Sequence, residues 1–139
     1  MSAIEDRLAI NDLFVRYTTA LDAGDVETVV GCFTADAVLE SPALGAIAGR
    51  EAIRAFAGRF AALREDGTQF RHMISNLAAE FTGQRASATC YLLVLITRNG
   101  ASRQLPPGRY ECELAKESGQ WRFRRRVVFH DHGYMLDGI

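Results

Sequence analysis

The stretch "QFRHMISNLAAEF", Gln69 to Phe81, is where this chain changes its period. Upstream of it, apolar residues recur every three or four positions. From Gln69 onward they recur every two. Alternation puts Phe70, His72, Ile74 and Asn76 on one face and Arg71, Met73, Ser75 and Leu77 on the other. The stretch reads as a β-strand that carries an imidazole and an amide among apolar neighbours.

Downstream, further strands are separated by hairpin signals at Thr82-Gly83, Asn99-Gly100 and Ser118-Gly119. Asn-Gly is the most specific of these, because a type I′ turn needs positive φ at both central positions. Short connections make antiparallel neighbours, so residues 69–131 are expected to form a meander of four strands. Pro106-Pro107 should break the third strand with a loop before Tyr110. "YECELAK" alternates cleanly and sets Tyr110, Cys112 and Leu114 on one side. "SATCYLLVLIT" is apolar on both faces and must be covered on both. Three short helices can cover only one, so a homo-oligomer (dimer or trimer) is expected to meet the other at Tyr91, Leu93 and Leu95.

Upstream, Ser2 and Glu5 fit a capping box. Ile10, Leu13, Phe14, Tyr17, Ala20 and Leu21 follow at helical spacing, and Gly24 ends the helix. Asp25 can cap a short second helix. "AVLES" reads as a short strand, followed by a loop around Pro42, Gly45 and Gly49. A third helix from about Arg50 turns Ile53, Phe56, Ala57, Phe60 and Leu63 inward. Helices first and strands after make an α+β domain spanning 1–139. Packed into the concave face of a curved, mainly antiparallel sheet, the helices would leave an apolar cone suited to a small molecule.

The chain has 139 residues, enough for one domain with its own core, and a net charge of -1. That balance offers no global attraction to nucleic acid or to anionic membrane. Three separated cysteines, Cys32, Cys90 and Cys112, suggest buried thiols rather than a disulfide framework or zinc site. Neither a secretion signal nor a run of roughly 20 apolar residues is present. A cytoplasmic protein is the expectation.

Few residues could do chemistry. Asp22 lies in the last turn of the first helix, where the macrodipole disfavours a carboxylate by roughly 0.3–1 kcal/mol. "DAGD" also fits an ordinary helix-to-helix turn facing water. His72 fits either a base in a pocket or a core histidine with its bonds satisfied, and Asn76 could partner it. In "WRFRRRVVFHD", alternation puts Arg125 on one face with Trp121, Phe123, Val127 and Phe129. An arginine there needs a partner or an anionic ligand. His130-Asp131-His132 could be read as metal ligands, but without further clustered ligands it reads as an ordinary chain terminus.

The run "RYTTALDAGDVETVVGCFTADAVLES", an arginine-led helix, "RHMISN" and a terminal "WRFRRRVV" strand resemble the SnoaL-like branch of the nuclear transport factor 2-like superfamily. The resemblance covers nearly the whole chain. It implies the cone-shaped barrel described above. It also implies kinship with elimination enzymes such as scytalone dehydratase, bile-acid 7α-dehydratase and hexachlorocyclohexane dehydrochlorinase. These place an aspartate at the end of the first helix and a histidine early in the meander, the positions of Asp22 and His72. Tyr17 matches a tyrosine of the bile-acid enzyme, although residues five apart on a helix lie about 140° apart.

On that resemblance, a cofactor-free and metal-free lyase is expected, acting on an apolar, cyclic or steroid-like molecule. Asp22 orients His72, His72 removes a proton, and Tyr17 donates to a substrate oxygen. Phe14, Phe56, Phe60, Asn76, Cys90, Tyr110 and Arg125 are expected around the substrate. The next strand, "ASATCYLLVLIT", offers no histidine or aspartate as a second acid–base group, so that group must come from elsewhere. An isomerase or cyclase in the same pocket, or a non-catalytic subunit like the dioxygenase β subunit, are the alternatives.

Overall fold

The computed structural model describes residues 2–42 and 44–134. Helix α1 (Ala3–Ala23) starts where the Ser2 hydroxyl accepts the Glu5 amide and ends at Gly24, whose φ of 74° only glycine adopts without strain. Helix α2 (Val26–Gly31) is capped by Asp25, which takes the Thr28 amide. Strands β1 (Phe33–Ser41) and β2 (Gly45–Ala48) form a hairpin, and helix α3 (Arg50–Glu65) follows. The long strands are β3 (Gln69–Thr82), β4 (Arg85–Arg98), β6 (Gly108–Glu117) and β7 (Gln120–His130), with β5 (Ala101–Gln104) a short piece between.

The strand order is β2-β1-β7-β6-β4-β3, antiparallel except where β1 runs parallel to β7. This is the expected α+β plan, three N-terminal helices on a curved sheet, with two refinements. The third strand of the meander is split by Pro106-Pro107 into β5 and β6, and both pieces pair with β4. The loop expected after Pro42 contains β2. Asn99 and Gly100, at φ 52° and 74°, make the turn that their dipeptide announced.

Helix α1 lies on the sheet through an aromatic cluster. Phe14, Tyr17, Phe33 and Phe123 are fully buried, and Phe123 meets Phe14 at 5.1 Å and Tyr17 at 5.6 Å, edge to face. Such pairs add roughly 0.5–1.5 kcal/mol to the apolar burial. Asp6 ties the start of the same helix to the sheet by accepting from Trp121 Nε1 at 2.9 Å and Lys116 Nζ at 3.1 Å. On the sheet's outer face Tyr91 and Met73 stay 60% and 44% exposed. That is the surface on which the expected oligomer contact would fall.

Two one-residue bulges set which side chains face the helices. In β3 the pairing with β4 shifts between Ser75 and Ala78, and Asn76 takes a left-handed φ of 56°. In β7 the pairing with β6 shifts after Glu113, so Arg124 and Arg125 both point outward between Phe123 and Arg126. A bulge inserts one residue, so the alternation beyond it resumes on the opposite parity.

Candidate functional site

Asp22 sits in the last turn of α1 and grips β3 twice. Its Oδ2 accepts the backbone N–H of His72 at 2.8 Å, and its Oδ1 lies 2.6 Å from His72 Nδ1. A carboxylate only accepts, so Nδ1 carries the hydrogen and Nε2 is left free. Both side chains are largely sequestered, at 7% exposure for His72 and 12% for Asp22. The His72 ring rests near Phe60 and Phe70, at 5.7 and 6.1 Å between centroids. Gln69 stiffens the junction by donating to the Asp22 carbonyl at 3.2 Å. An imidazole fixed in one tautomer by a carboxylate, among aromatic rings, is arranged to take a proton at its other nitrogen.

His72 opens onto a cavity of about 170 Å³ between α3 and the sheet. Phe56, Phe60 and Leu63 wall it from the helix, and Leu39, Leu92, Val94 and Val128 from the strands. Exposed Leu44 and Arg59 mark the side open to solvent. A cavity of roughly 150 Å³ holds a benzene ring. The enclosed part of this one matches about one ring, and its mouth beside Leu44 and Arg59 is open.

Arg126 also lines this cavity. It is 2% exposed, with its guanidinium 4.4 Å from the ring centre of Tyr17 and 4.1 Å from that of Tyr110. Its Nε and Nη1 have no hydrogen-bond partner, and among the described residues no aspartate or glutamate lines the cavity. Arginine stays charged in proteins, so the cavity carries a buried cation that lies against two ring faces, with no carboxylate among the described lining residues. An uncompensated buried charge is costly, and an oxygen anion is the guest that would relieve it.

The expected site residues fall into two groups. Asp22 and His72 meet, and Phe56, Phe60 and Tyr110 line the cavity beside His72. The others lie elsewhere. Tyr17 is fully buried behind Arg126 rather than on the cavity wall, its hydroxyl has no partner, and burial pushes its pKa up to about 12. Phe14 belongs to the core against Phe123. Asn76 is exposed at the β3 bulge, away from His72's face. Cys90 is buried outside the cavity lining, and desolvation raises its thiol to about 11, so it is no ready nucleophile. Arg125 is on the outer face, bonded to Glu40 at 3.1 Å.

Sequence reading missed Arg126, His130 and Tyr134, all of which line the cavity. Alternation from Trp121 placed Arg125 on the apolar face and left Arg126 and His130 on the other, and only the shift in pairing with β6 after Glu113 reverses that parity. Among the described residues no group of three or more His, Cys, Asp or Glu side chains could hold a metal ion. No helix of the described residues is long and apolar enough to cross a membrane.

The sequence and the fold have relatives. Residues 2–127 match the model of the SnoaL-like domain. The structure of Aln2 from a Streptomyces species superposes with a TM-score of 0.82 at 29% identity, covering 94% of each chain. An NTF2-like protein with a cystatin-like fold from Novosphingobium aromaticivorans gives 0.82 at 25% identity, covering 98% of this chain and 85% of its own. A Catenulispora acidiphila structure in complex with S-DNPA gives 0.81 at 28% identity, covering 92% and 95%. The family match spans nearly the whole chain and the fold agrees with it throughout: this protein belongs to the SnoaL-like family of the nuclear transport factor 2-like superfamily.

Proposed function

We propose that the protein is a cofactor-independent lyase that eliminates water, or a similar leaving group, from a small single-ring molecule bearing a carbonyl. The observation that carries this reading is the 2.6 Å contact between Asp22 and the Nδ1 of His72 at the wall of an open apolar cavity. A purely structural subunit would fill that space with side chains and bond His72 only to backbone. His72 Nε2 removes the proton from the carbon next to the carbonyl, and Asp22 stabilises the imidazolium that results. The negative charge that develops on the carbonyl oxygen is met by Arg126, a fixed cation in a water-poor site. Tyr17 and Tyr110 act through Arg126, holding its guanidinium in place.

The ligand complex of the Catenulispora acidiphila relative supports a family site for small molecules. Isomerisation would use the same dyad on a substrate without a leaving group, and the product distinguishes the two. With single-ring β-hydroxy ketones, the enone absorbance should grow in the presence of the wild-type protein. His72→Ala should lower kcat/KM by about 10²–10⁴ while the melting temperature holds. Activity lost together with the folded state would make His72 a core histidine instead.

We also read the exposed outer face at Tyr91 and Met73 as the contact for a second copy of the chain. Tyr91→Glu should then lower the mass found by sedimentation, and a wild-type monomer would refute this.

A further inference from the structure

We propose that His130 is the second proton-transfer group of the cavity, the acid that protonates the departing oxygen while His72 takes the carbon-bound proton. This rests on the elimination reading above. The β7 bulge turns Arg126, Val128 and His130 inward, so the strand that carries the buried cation carries an imidazole about 13 Å further along. His130 Nδ1 lies 3.1 Å from the Pro106 carbonyl. A carbonyl only accepts, so Nδ1 holds a hydrogen and Nε2 is the nitrogen left for a guest. The ring is seated edge to face against Tyr134, 4.7 Å away between centroids.

Gly108 makes that seat possible. It pairs with His130 across β6 and β7, and a Cβ there would lie 2.3 Å from the Phe129 carbonyl and 3.2 Å from His130 Nδ1. Any side chain at 108 would displace the strand or the ring. The same row of the sheet runs from His130 through Gly108 and Leu92 to Ile74, two residues from His72. Three strand spacings, about 14 Å, therefore separate the two histidine backbones laterally. Their side chains reach the same cavity from different strands.

The rest of the lining leaves His130 alone in this role. Among the described residues no carboxylate lines the cavity. Burial holds the Tyr110 hydroxyl far above the usual phenol range and that of Tyr134 above it, so neither gives up a proton readily. The step balances. The C–H pair becomes the new C=C bond as His72 Nε2 takes the proton. The C–O bond breaks, and the oxygen leaves as water with the Nε2 proton of His130 in its imidazolium form. His72 ends protonated and His130 neutral, and exchange with solvent restores both.

The test uses β-hydroxycyclohexanone in D2O, which reads the two histidines separately. Deuterium entry at the α-carbon reports His72, and formation of cyclohexenone reports the leaving step. His130→Gln should cut dehydration by about 10²-fold or more while α-exchange continues, and that exchange also shows that the site is still folded. β-Chlorocyclohexanone, whose chloride departs without a proton, should be eliminated equally well by both proteins. Gly108→Ala should reproduce the dehydration defect in milder form. Unchanged dehydration by His130→Gln overturns the proposal and leaves the dyad standing. An equal loss on the chloro-ketone assigns His130 a merely structural role. Absence of both exchange and dehydration in the wild type overturns the dyad reading, and this one with it.

Discussion

Strands β3 and β7 each deliver a histidine to the cavity and each contains a one-residue bulge, yet they are built in different ways. In β3 the site residue comes first and the bulge after, so simple alternation from Gln69 puts His72 on the correct face. In β7 the bulge comes first, at Arg124, and everything beyond it is inverted relative to simple alternation. Their supports differ too. His72 is held by two charge-assisted bonds that it donates to one carboxylate. Arg126 has no bond at its Nε or Nη1 and lies against two tyrosine rings. A strand can thus present a functional group either by gripping it or by leaving it short of partners. The first arrangement stabilises the fold and the second costs it something.

That contrast can be broken by mutation. Asp22→Ala should show the largest effect, because it removes both bonds and leaves a buried N–H without a partner. A loss of about 2–3 kcal/mol in unfolding free energy is expected, together with a fall in activity comparable to that of His72→Ala. A variant that stayed as stable as the parent would remove the distinction between gripped and unpartnered residues.

Arg126→Met should separate the two quantities. Activity should drop by about 10²–10³ because the developing oxyanion loses its cation. Stability should hold or rise, since replacing a buried ionic group by an apolar one of similar volume is often neutral or favourable. Denaturant titration beside kinetics measures both, and a strongly destabilised Arg126→Met would mean that the guanidinium is structural.

Arg125→Ala is the smallest change and the sharpest control. One residue away but on the other side of the sheet, Arg125 has an exposed pair with Glu40. Such pairs are worth about 0–1 kcal/mol. Its loss should leave turnover unchanged, and an effect as large as that of Arg126→Met would contradict the inversion at Arg124.

Much of the molecule could be read without coordinates. Stripes such as Ile10, Leu13, Phe14, Tyr17 and Leu21, the Ser2 cap and the Asn99-Gly100 turn are local facts. They depend on spacing within a few residues, and the secondary structure obeyed them. Asp22 and His72 were also nameable as candidates, because their positions match a family pattern. Where alternation failed, at Asn76 and at Arg125, the cause was a bulge. Bulges follow from how neighbouring strands pair and bend, not from the residues at the bulge itself.

The amino-acid sequence alone determined the element types, the order of helices before strands, and the two side chains that could form a dyad. Tertiary structure decided that Asp22 and His72 touch, that a hollow of about 170 Å³ opens beside them, and that Arg126 and His130 face it while Arg125 does not. The physical reason is range. Helix and turn preferences act over a few bonds, whereas cavity size and strand parity arise only when segments distant in the chain, such as those holding Asp22 and His72 or Tyr17 and Arg126, press against each other.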